Sequence, residues 1–233
     1  MQGGGRRREA VQRRAAVSAT LARMTQEQQL RKAERHLASI DPVMAEVIGA
    51  TGPCRLGEDR PQPLPALVGA IVAQQISVHA ARAIHGRLRR LLGGRFSARR
   101  ILTASDQELR DAGLSPQKIR YLRDLAEKVA ARRLRLSGLE DMGDDEVVEV
   151  LTGVKGIGVW TAQMFLIFRL GRLDVLPLDD LGLLEGARLL YELPARPDGA
   201  SFARMAEPWR PYRSVGCWYL WQGRRLARGD ELR

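Results

Sequence analysis

The chain has 233 residues, 45% of them hydrophobic, which is enough to bury one good core or two small ones and excludes a fibrous or wholly disordered protein. Its 38 Lys and Arg against 27 Asp and Glu give a formal net charge of +11, which favours a polyanionic partner, nucleic acid first. The only two cysteines, Cys54 and Cys217, are too few for a disulfide framework, zinc-ligand spacing or a four-cysteine iron–sulfur cluster.

The first 25 residues form a basic segment. They contain six Arg against one Glu and contribute +5 of the +11, so the rest of the chain is only moderately basic. The segment lacks the apolar stretch of a secretory signal, and no apolar run in the chain reaches the roughly 18 residues of a membrane span. We therefore expect residues 1–25 to be a flexible basic arm, on a cytoplasmic protein of bacterial type, with a transit peptide as the alternative for an Arg-rich, acid-poor start.

Helical periodicity dominates the chain from residue 26 onward. Apolar residues recur about every three to four positions, and the alternation of Val, Ile and Thr that is typical of strands is nearly absent. The pattern predicts an all-α fold, with helices over residues 26–40, 42–51, 66–75, 77–92, 106–111, 117–133, 144–151 and 159–170. Residues 52–65, with four prolines and two glycines, predict a loop.

A glycine-rich turn lies within residues 151–162, which read Leu-Thr-Gly-Val-Lys-Gly-Ile-Gly-Val-Trp-Thr-Ala. One helix is predicted to end at Gly153, the turn to use Gly156 and Gly158, and the next helix to begin near Val159, because glycine permits positive φ and close backbone approach. Such a hairpin points free amides outward, which is an arrangement that binds phosphate. A tight interhelical turn without a ligand is the alternative.

Paired carboxylates follow the second helix of this hairpin. From Gly171 an extended stretch leads through Pro177 to Asp179 and Asp180, and then into a new helix. Carboxylates directly before a helix often serve as its N-cap. On these residues alone, capping and catalysis both remain open.

The order of hairpin, apolar helix and Pro-x-Asp-Asp turn resembles the helix-hairpin-helix DNA glycosylase superfamily. Three further segments are similar to its 3-methyladenine DNA glycosylase II branch: residues 73–77, 113–118 and 209–221. Together the matches cover roughly residues 35 to 225. The resemblance implies a compact form, residues 26–233, with one helical lobe of about 66–170, another of about 26–65 with 171–233, and a DNA- and base-binding cleft between them.

The resemblance also implies a reaction. It predicts a monofunctional DNA glycosylase that flips alkylated bases of the 3-methyladenine and 7-methylguanine type out of duplex DNA and hydrolyses the N-glycosidic bond, in base excision repair. Asp180 matches the catalytic position, where a carboxylate stabilises oxocarbenium charge, and Asp179 is then a cap or an electrostatic helper. Trp160 stands where bifunctional relatives have a nucleophilic lysine, so we expect no lyase activity.

Further roles come from the same resemblance. Trp160, with its π-face, and Met164 are expected in the base pocket, together with Tyr212 or Trp209 from the C-terminal segment, although each could equally be packing. Gln75 is expected to fill the gap left by the flipped nucleotide. Phosphate is expected at the amides of Gly156, Gly158 and Thr161, with Lys155 as a generic contact.

No cofactor is expected except a possible monovalent cation held in the hairpin by the carbonyls of Thr152, Val154 and Ile157. The expected partner is double-stranded DNA with damaged bases, bound by a monomer. The sequence departs from the branch at Gly216 and Cys217, where alanines are usual, and at Leu184, where a basic residue is common. These departures leave the local packing and DNA contact open.

Two alternative functions remain open. One is a helix-hairpin-helix DNA-binding module without catalytic activity, against which Asp180 argues. The other is a glycosylase for oxidised or deaminated bases, which is disfavoured by the missing lysine and the missing cluster cysteines.

Overall fold

The computed structural model describes residues 25–58 and 60–229, and every regular element in these ranges is helical. The all-α prediction is therefore confirmed. The predicted basic arm lies outside the described residues except for Thr25, which caps the first helix through a capping box with Gln28. Among the residues described, no helix is both long and apolar enough to cross a membrane.

The described helices are as follows: α1 (Gln26–Ile40), α2 (Pro42–Thr51), α3 (Pro63–Ala73), α4 (Val78–Leu91), α5 (Ala98–Thr103), α6 (Asp106–Asp111), α7 (Pro116–Ala130), α8 (Asp144–Thr152), α9 (Val159–Met164, continued by a π-helical turn Phe165–Leu170), α10 (Leu181–Leu190), α11 (Gly199–Ala206), a 3₁₀ turn (Glu207–Trp209) and α12 (Arg213–Ala227).

Several boundaries differ from the sequence prediction for local reasons. α3 begins at Pro63, inside the predicted loop, because proline is well tolerated at the first position of a helix. α7 ends at Ala130, before the predicted residue 133, and Arg132 then adopts a left-handed φ of 56°. The six-residue helix α5 was not predicted, although Ser97 caps it.

The described chain divides into two compact units. The split unit comprises the residues up to Arg55 and those from Leu181 onward, and the continuous unit runs from Leu56 to Asp180. The split unit therefore holds α1, α2 and α10 to α12, and the continuous unit holds α3 to α9. Asp180 is the last residue of the continuous unit.

A polar network lies within the split unit around Asp41, which separates α1 from α2. One carboxylate oxygen accepts the amide of Met44 at 3.2 Å and caps α2. The other accepts the Tyr191 hydroxyl at 2.5 Å and the Trp209 indole N–H at 2.9 Å. Burial, with the hydrogen bond to Asp41, raises the pKa of Tyr191. These bonds join α2, α10 and the 3₁₀ turn.

Arginines stabilise helix ends within the continuous unit. Arg123 donates to the carbonyls of Ile101 and Ala104, both at 2.5 Å, and Arg100 donates to the carbonyls of Leu92 and Gly93. Carbonyls at a helix C-terminus have no partner within the helix, so a guanidinium there is stabilising. Part of the basic charge in the sequence is therefore used to hold the fold.

Candidate nucleic-acid interface and catalytic carboxylate

The predicted hairpin is present between α8 and α9. Its turn is closed by hydrogen bonds from the amide of Val154 to the Leu151 carbonyl and from the amide of Ile157 to the Val154 carbonyl, both 3.0 Å. Gly156 has a φ of 81°, and a Cβ added there would overlap the ring of Tyr121. Glycine is therefore required at this position both for its conformation and for the close approach of Tyr121.

Gly158 has a different role in the hairpin. Its φ of −92° is open to any residue, and no heavy atom lies within 4 Å of a Cβ added to it. It occupies the N-cap position of α9 and has no side chain with which to cap the first amides of that helix. An exposed glycine at a helix N-terminus leaves these amides accessible to an anionic ligand.

The hairpin is anchored to α7 through Asp124. The Asp124 carboxylate accepts the Lys155 amide at 2.9 Å and forms an ion pair with Lys128. Burial acts to raise the pKa of Asp124, but the bonds from Lys128 and the Lys155 amide outweigh burial and hold the pKa below its ordinary value. Asp124 is thus a charged support behind the turn, while Lys155 itself is exposed.

Asp180 and Trp160 are in direct contact. The Trp160 Nε1–H donates to Asp180 Oδ2 at 2.7 Å. Asp180 is only 8% exposed, whereas Trp160 is 45% exposed, which is high for a tryptophan. The adjacent Asp179 is exposed. The structure therefore brings two of the residues predicted from the sequence together, with a buried carboxylate beside an accessible aromatic surface.

The segment that carries Asp180 is held in place by Arg172. The Arg172 guanidinium donates to the carbonyls of Glu140 and Met142 at 2.9 and 2.7 Å and pairs with Asp144 at 3.3 Å. The Asp180 amide then donates to the Pro177 carbonyl at 3.3 Å and closes the turn before α10. These contacts help to hold the segment that carries the carboxylate.

Three other residues were predicted for the base pocket, and they differ in burial: Met164, Trp209 and Tyr212. Met164, one turn along α9 from Trp160, is half-buried. Trp209 and Tyr212 belong to the split unit and are 1% and 2% exposed. Trp209 packs against Phe202 at a ring-centroid distance of 6.2 Å. Trp209 and Tyr212 therefore contribute to the core of the split unit, and their role in a base pocket stays a prediction.

Gln75 lies in the α3–α4 turn, defined here as residues 74–77. It is exposed and has a φ of 58°, in the left-handed region that a non-glycine residue rarely adopts. Gln74, beside it, donates from its side chain to the Gly156 carbonyl at 2.7 Å. The turn is thereby joined to the hairpin, a contact that the sequence did not reveal because 82 positions separate the two residues.

Asp124, Gln74 and Lys118 were not among the site residues predicted from the sequence. Lys118 belongs to the segment 113–118 used above for the resemblance, but its contacts, to Val72 and Gln74, lie far away in sequence at the end of α3. The one local signal was the spacing of Asp124 and Lys128 on one helix face, and that spacing is also common on solvated helices.

Known proteins are similar to this chain in sequence. Residues 68–211 match the family model described as HhH-GPD superfamily base excision DNA repair protein. DNA-3-methyladenine glycosylase 1 of Schizosaccharomyces pombe is 34% identical, over 85% of this chain and 89% of that protein. The alkylbase DNA glycosidase-like protein mag2 of the same organism is 30% identical, over 88% of this chain and 99% of its own length.

Two solved structures are similar to this chain in fold. The structure of S. pombe 3-methyladenine DNA glycosylase (Mag1) in complex with abasic DNA is similar with a TM-score of 0.73 and 34% identity, over 82% of this chain and 95% of that one. A DNA-3-methyladenine glycosidase from Bacillus halodurans is similar with a TM-score of 0.72 and 39% identity, over 86% of this chain and 89% of that one.

Proposed function

Because the chain belongs to the HhH-GPD superfamily of base excision DNA repair proteins, we propose that it is a DNA glycosylase that removes alkylated bases from double-stranded DNA. Its substrates are bases of the 3-methyladenine and 7-methylguanine type. The observation that carries this proposal is the buried Asp180 carboxylate held by the exposed Trp160. The accessible indole offers a ligand a surface next to this carboxylate.

The chemistry of alkylated bases suits a single carboxylate. A base alkylated on a ring nitrogen is cationic and already a good leaving group, so its departure needs little general-acid assistance. The developing charge lies on the deoxyribose, and a buried carboxylate stabilises it strongly because few waters screen the interaction. Asp180 takes this role in our proposal, and it also orients the attacking water. The Trp160 N–H holds the carboxylate in one orientation.

Trp160 serves the substrate in a second way. An indole face attracts a cationic ring, an interaction of about 2 kcal/mol when it is desolvated. With 45% of Trp160 exposed, the indole has surface available for a flipped base, and Met164 lies one turn along the same helix. An indole forms no Schiff base with the sugar, so we propose that the reaction ends at base release without strand cleavage.

The contacts to DNA come from the hairpin and the α3–α4 turn. The phosphate of the flipped nucleotide binds to the amides of Gly156, Gly158 and Thr161, with Lys155 adding charge. Gln75 enters the gap left in the base stack, where it opposes the few kcal/mol that drive the base back into the duplex. We propose that the protein acts as a monomer in the cytoplasm, where it associates with the nucleoid through DNA.

A monovalent cation in the hairpin is a further part of this proposal. The Val154 carbonyl accepts the Ile157 amide at 3.0 Å and retains a second lone pair, so its chemistry suits a weakly bound alkali cation. The carbonyls of Thr152 and Ile157 complete the donor set. A bound cation would supply positive charge beside the phosphate. Within the described residues, no group of three or more His, Cys, Asp or Glu is arranged to hold a metal ion.

The decisive experiment measures free 3-methyladenine and 7-methylguanine released from methylated duplex DNA. The native chain, Asp180→Asn and the matched control Asp179→Asn are compared at the same salt concentration. We expect base release from the native chain and from Asp179→Asn, and almost none from Asp180→Asn. Release by Asp180→Asn at the native rate would overturn the assignment of the carboxylate.

The same assay separates the alternatives. If the native chain binds DNA but releases neither base, duplexes that carry oxidised or deaminated bases are tested next, and failure on all of them leaves a DNA-binding module. Borohydride trapping checks the predicted lack of lyase activity: a covalent protein–DNA adduct would contradict it, because only a Schiff base is trapped.

A further inference from the structure

The α3–α4 turn has a conformation that needs support. The left-handed φ of Gln75 costs about a kcal/mol or more in a non-glycine residue and persists only where surrounding contacts enforce it. The helix α3 itself needs no such support, because five of its apolar side chains are buried: Leu64, Leu67, Val68, Ile71 and Val72. We therefore expect contacts to the end of α3 and to residues 74–77 to act mainly on the turn.

Lys118, in the first turn of α7, supplies one of these contacts. Its Nζ donates to the carbonyls of Val72 and Gln74, both at 2.8 Å, on either side of the end of α3. Carbonyls at this position lack partners within the helix and lie at the negative end of its dipole, so an ammonium group is well matched to them. Burial lowers the pKa of Lys118, as expected for an ammonium withdrawn from water.

Gln74 supplies the second contact. Its side-chain amide donates to the Gly156 carbonyl at 2.7 Å, at the point where Gly156 packs against Tyr121 of α7. Lys118 and Tyr121 lie on the same helix, one turn apart. The turn that presents Gln75 and the hairpin that presents the phosphate-binding amides are therefore joined directly, by Gln74, and also through α7.

We propose that Lys118 and Gln74 are positioning residues, which hold Gln75 at a fixed distance from the phosphate-binding amides so that phosphate binding and base extrusion occur together. This inference rests on the proposed function. To extrude the base, the protein must contact the phosphate and the gap in the base stack at the same time. A fixed distance between the two contacting groups avoids the entropy cost of bringing them into that arrangement. Neither residue contacts the base in this proposal, and both act through Gln75.

The test compares two duplexes with the same lesion. In one the lesion is base-paired, and in the other it lies in a small mispaired bubble, where extrusion costs less. Lys118→Met should slow single-turnover base release from the paired duplex about tenfold or more, and from the bubble by less than about threefold. Gln75→Ala should show the same pattern. The double variant should be no slower than the slower of the two single variants, because both changes remove the same function.

Three controls make the result interpretable. Arg120→Met removes one exposed positive charge from the same helix and should slow both duplexes equally. Lys118→Arg keeps the charge and the donors and should recover most of the rate on the paired duplex. If Lys118→Met does not fold, Gln74→Met breaks only the bond to Gly156 and should give the same selective loss. Equal slowing of both duplexes, or additive effects with Gln75→Ala, would overturn the proposal.

A readout without base release keeps this inference distinct from the proposed function. In a duplex with 2-aminopurine next to an abasic site, insertion of Gln75 alters stacking and changes the fluorescence. The native chain and Arg120→Met should give the change on binding, and Lys118→Met should bind without it. The two proposals can fail separately. If the native chain gives this change, Lys118→Met does not, and the native chain releases no base, then the catalytic proposal fails and the positioning proposal stands. If Lys118→Met gave the same fluorescence change on binding as the native chain, the positioning role would be refuted.

Discussion

Among the described residues, an aspartate in each unit accepts a hydrogen bond from a tryptophan indole. Asp41 accepts it from Trp209 at 2.9 Å, and Asp180 accepts it from Trp160 at 2.7 Å. Both aspartates directly precede a helix, so their sequence contexts are alike. The two tryptophans differ sharply in exposure, at 1% for Trp209 and 45% for Trp160.

We propose that this difference distinguishes a structural pair from a functional one. Asp41 also caps α2 and accepts a hydrogen bond from Tyr191, so both of its carboxylate oxygens bind donors of the split unit. Asp180 is buried, whereas Asp41 is half-buried, and Asp180 stands beside an indole whose surface a ligand can reach. In our proposal, the same pair of residue types supports either packing or catalysis, and the exposure of the aromatic partner indicates which.

The largest expected effect separates the two aspartates by activity. Asp180→Asn should reduce base release by about 100-fold or more, because a preorganised charge at the reacting centre is lost. Its free energy of unfolding should stay within about 1 kcal/mol of native, since the asparagine carbonyl still accepts from Trp160. Single-turnover kinetics and urea denaturation measure the two quantities. A large loss of stability without loss of activity would reverse our assignment.

Asp41→Asn should show the opposite behaviour. An amide presents one acceptor atom where the carboxylate presented two, and both Met44 N–H and Trp209 N–H can only donate. One buried donor is left without an acceptor, so we expect a loss of about 1–3 kcal/mol in unfolding free energy. Base release per folded molecule, measured well below the melting temperature, should remain within about threefold of native. A selective loss of activity would place Asp41 in the site.

The two tryptophans provide a sharper form of the comparison. Trp160→Phe removes the N–H that orients Asp180 and weakens the aromatic face, so base release should fall about tenfold with little change in stability. Trp209→Phe removes buried volume and a buried hydrogen bond, so the unfolding free energy should fall by about 2–3 kcal/mol. Base release and unfolding free energy, measured for both variants, test whether the exposure of the tryptophan separates the two pairs. Equal effects of the two variants on stability would contradict that separation.

Much of this architecture could be predicted from local sequence signals. The helices 26–40 and 106–111 match the prediction at both ends, because amphipathic period and capping residues are encoded within a few positions. The hairpin was predicted from its glycines, although only Gly156 uses a positive φ. The proximity of Trp160 and Asp180 was implied only by the family resemblance, since no local pattern fixes two residues twenty positions apart.

The parts that could not be predicted depend on contacts between residues distant in sequence. The bond from Gln74 to Gly156 and those from Lys118 to α3 join such residues. Charge was also ambiguous: Arg100 and Arg123 count toward the net charge that suggested DNA, yet their guanidinium groups bind backbone carbonyls. Formal charge does not tell whether a guanidinium faces solvent or a helix end, so it overstates the charge available for a partner.

A stability effect of similar size is expected at Gly216, one of the positions where this sequence departs from the pattern of the family branch that it resembles. A Cβ added there would lie 2.6 Å from Cε3 of Trp209, a ring that is buried and held by its bond to Asp41. Gly216→Ala should therefore cost about 1–3 kcal/mol of unfolding free energy through overpacking, whereas Gly49→Ala on α2, where the added methyl meets nothing within 4 Å, should be neutral or stabilising. In a Trp209→Phe background the cost of Gly216→Ala should shrink, because the smaller ring makes room for the methyl group. An unchanged cost in that background would mean that the Trp209 ring is not what excludes alanine.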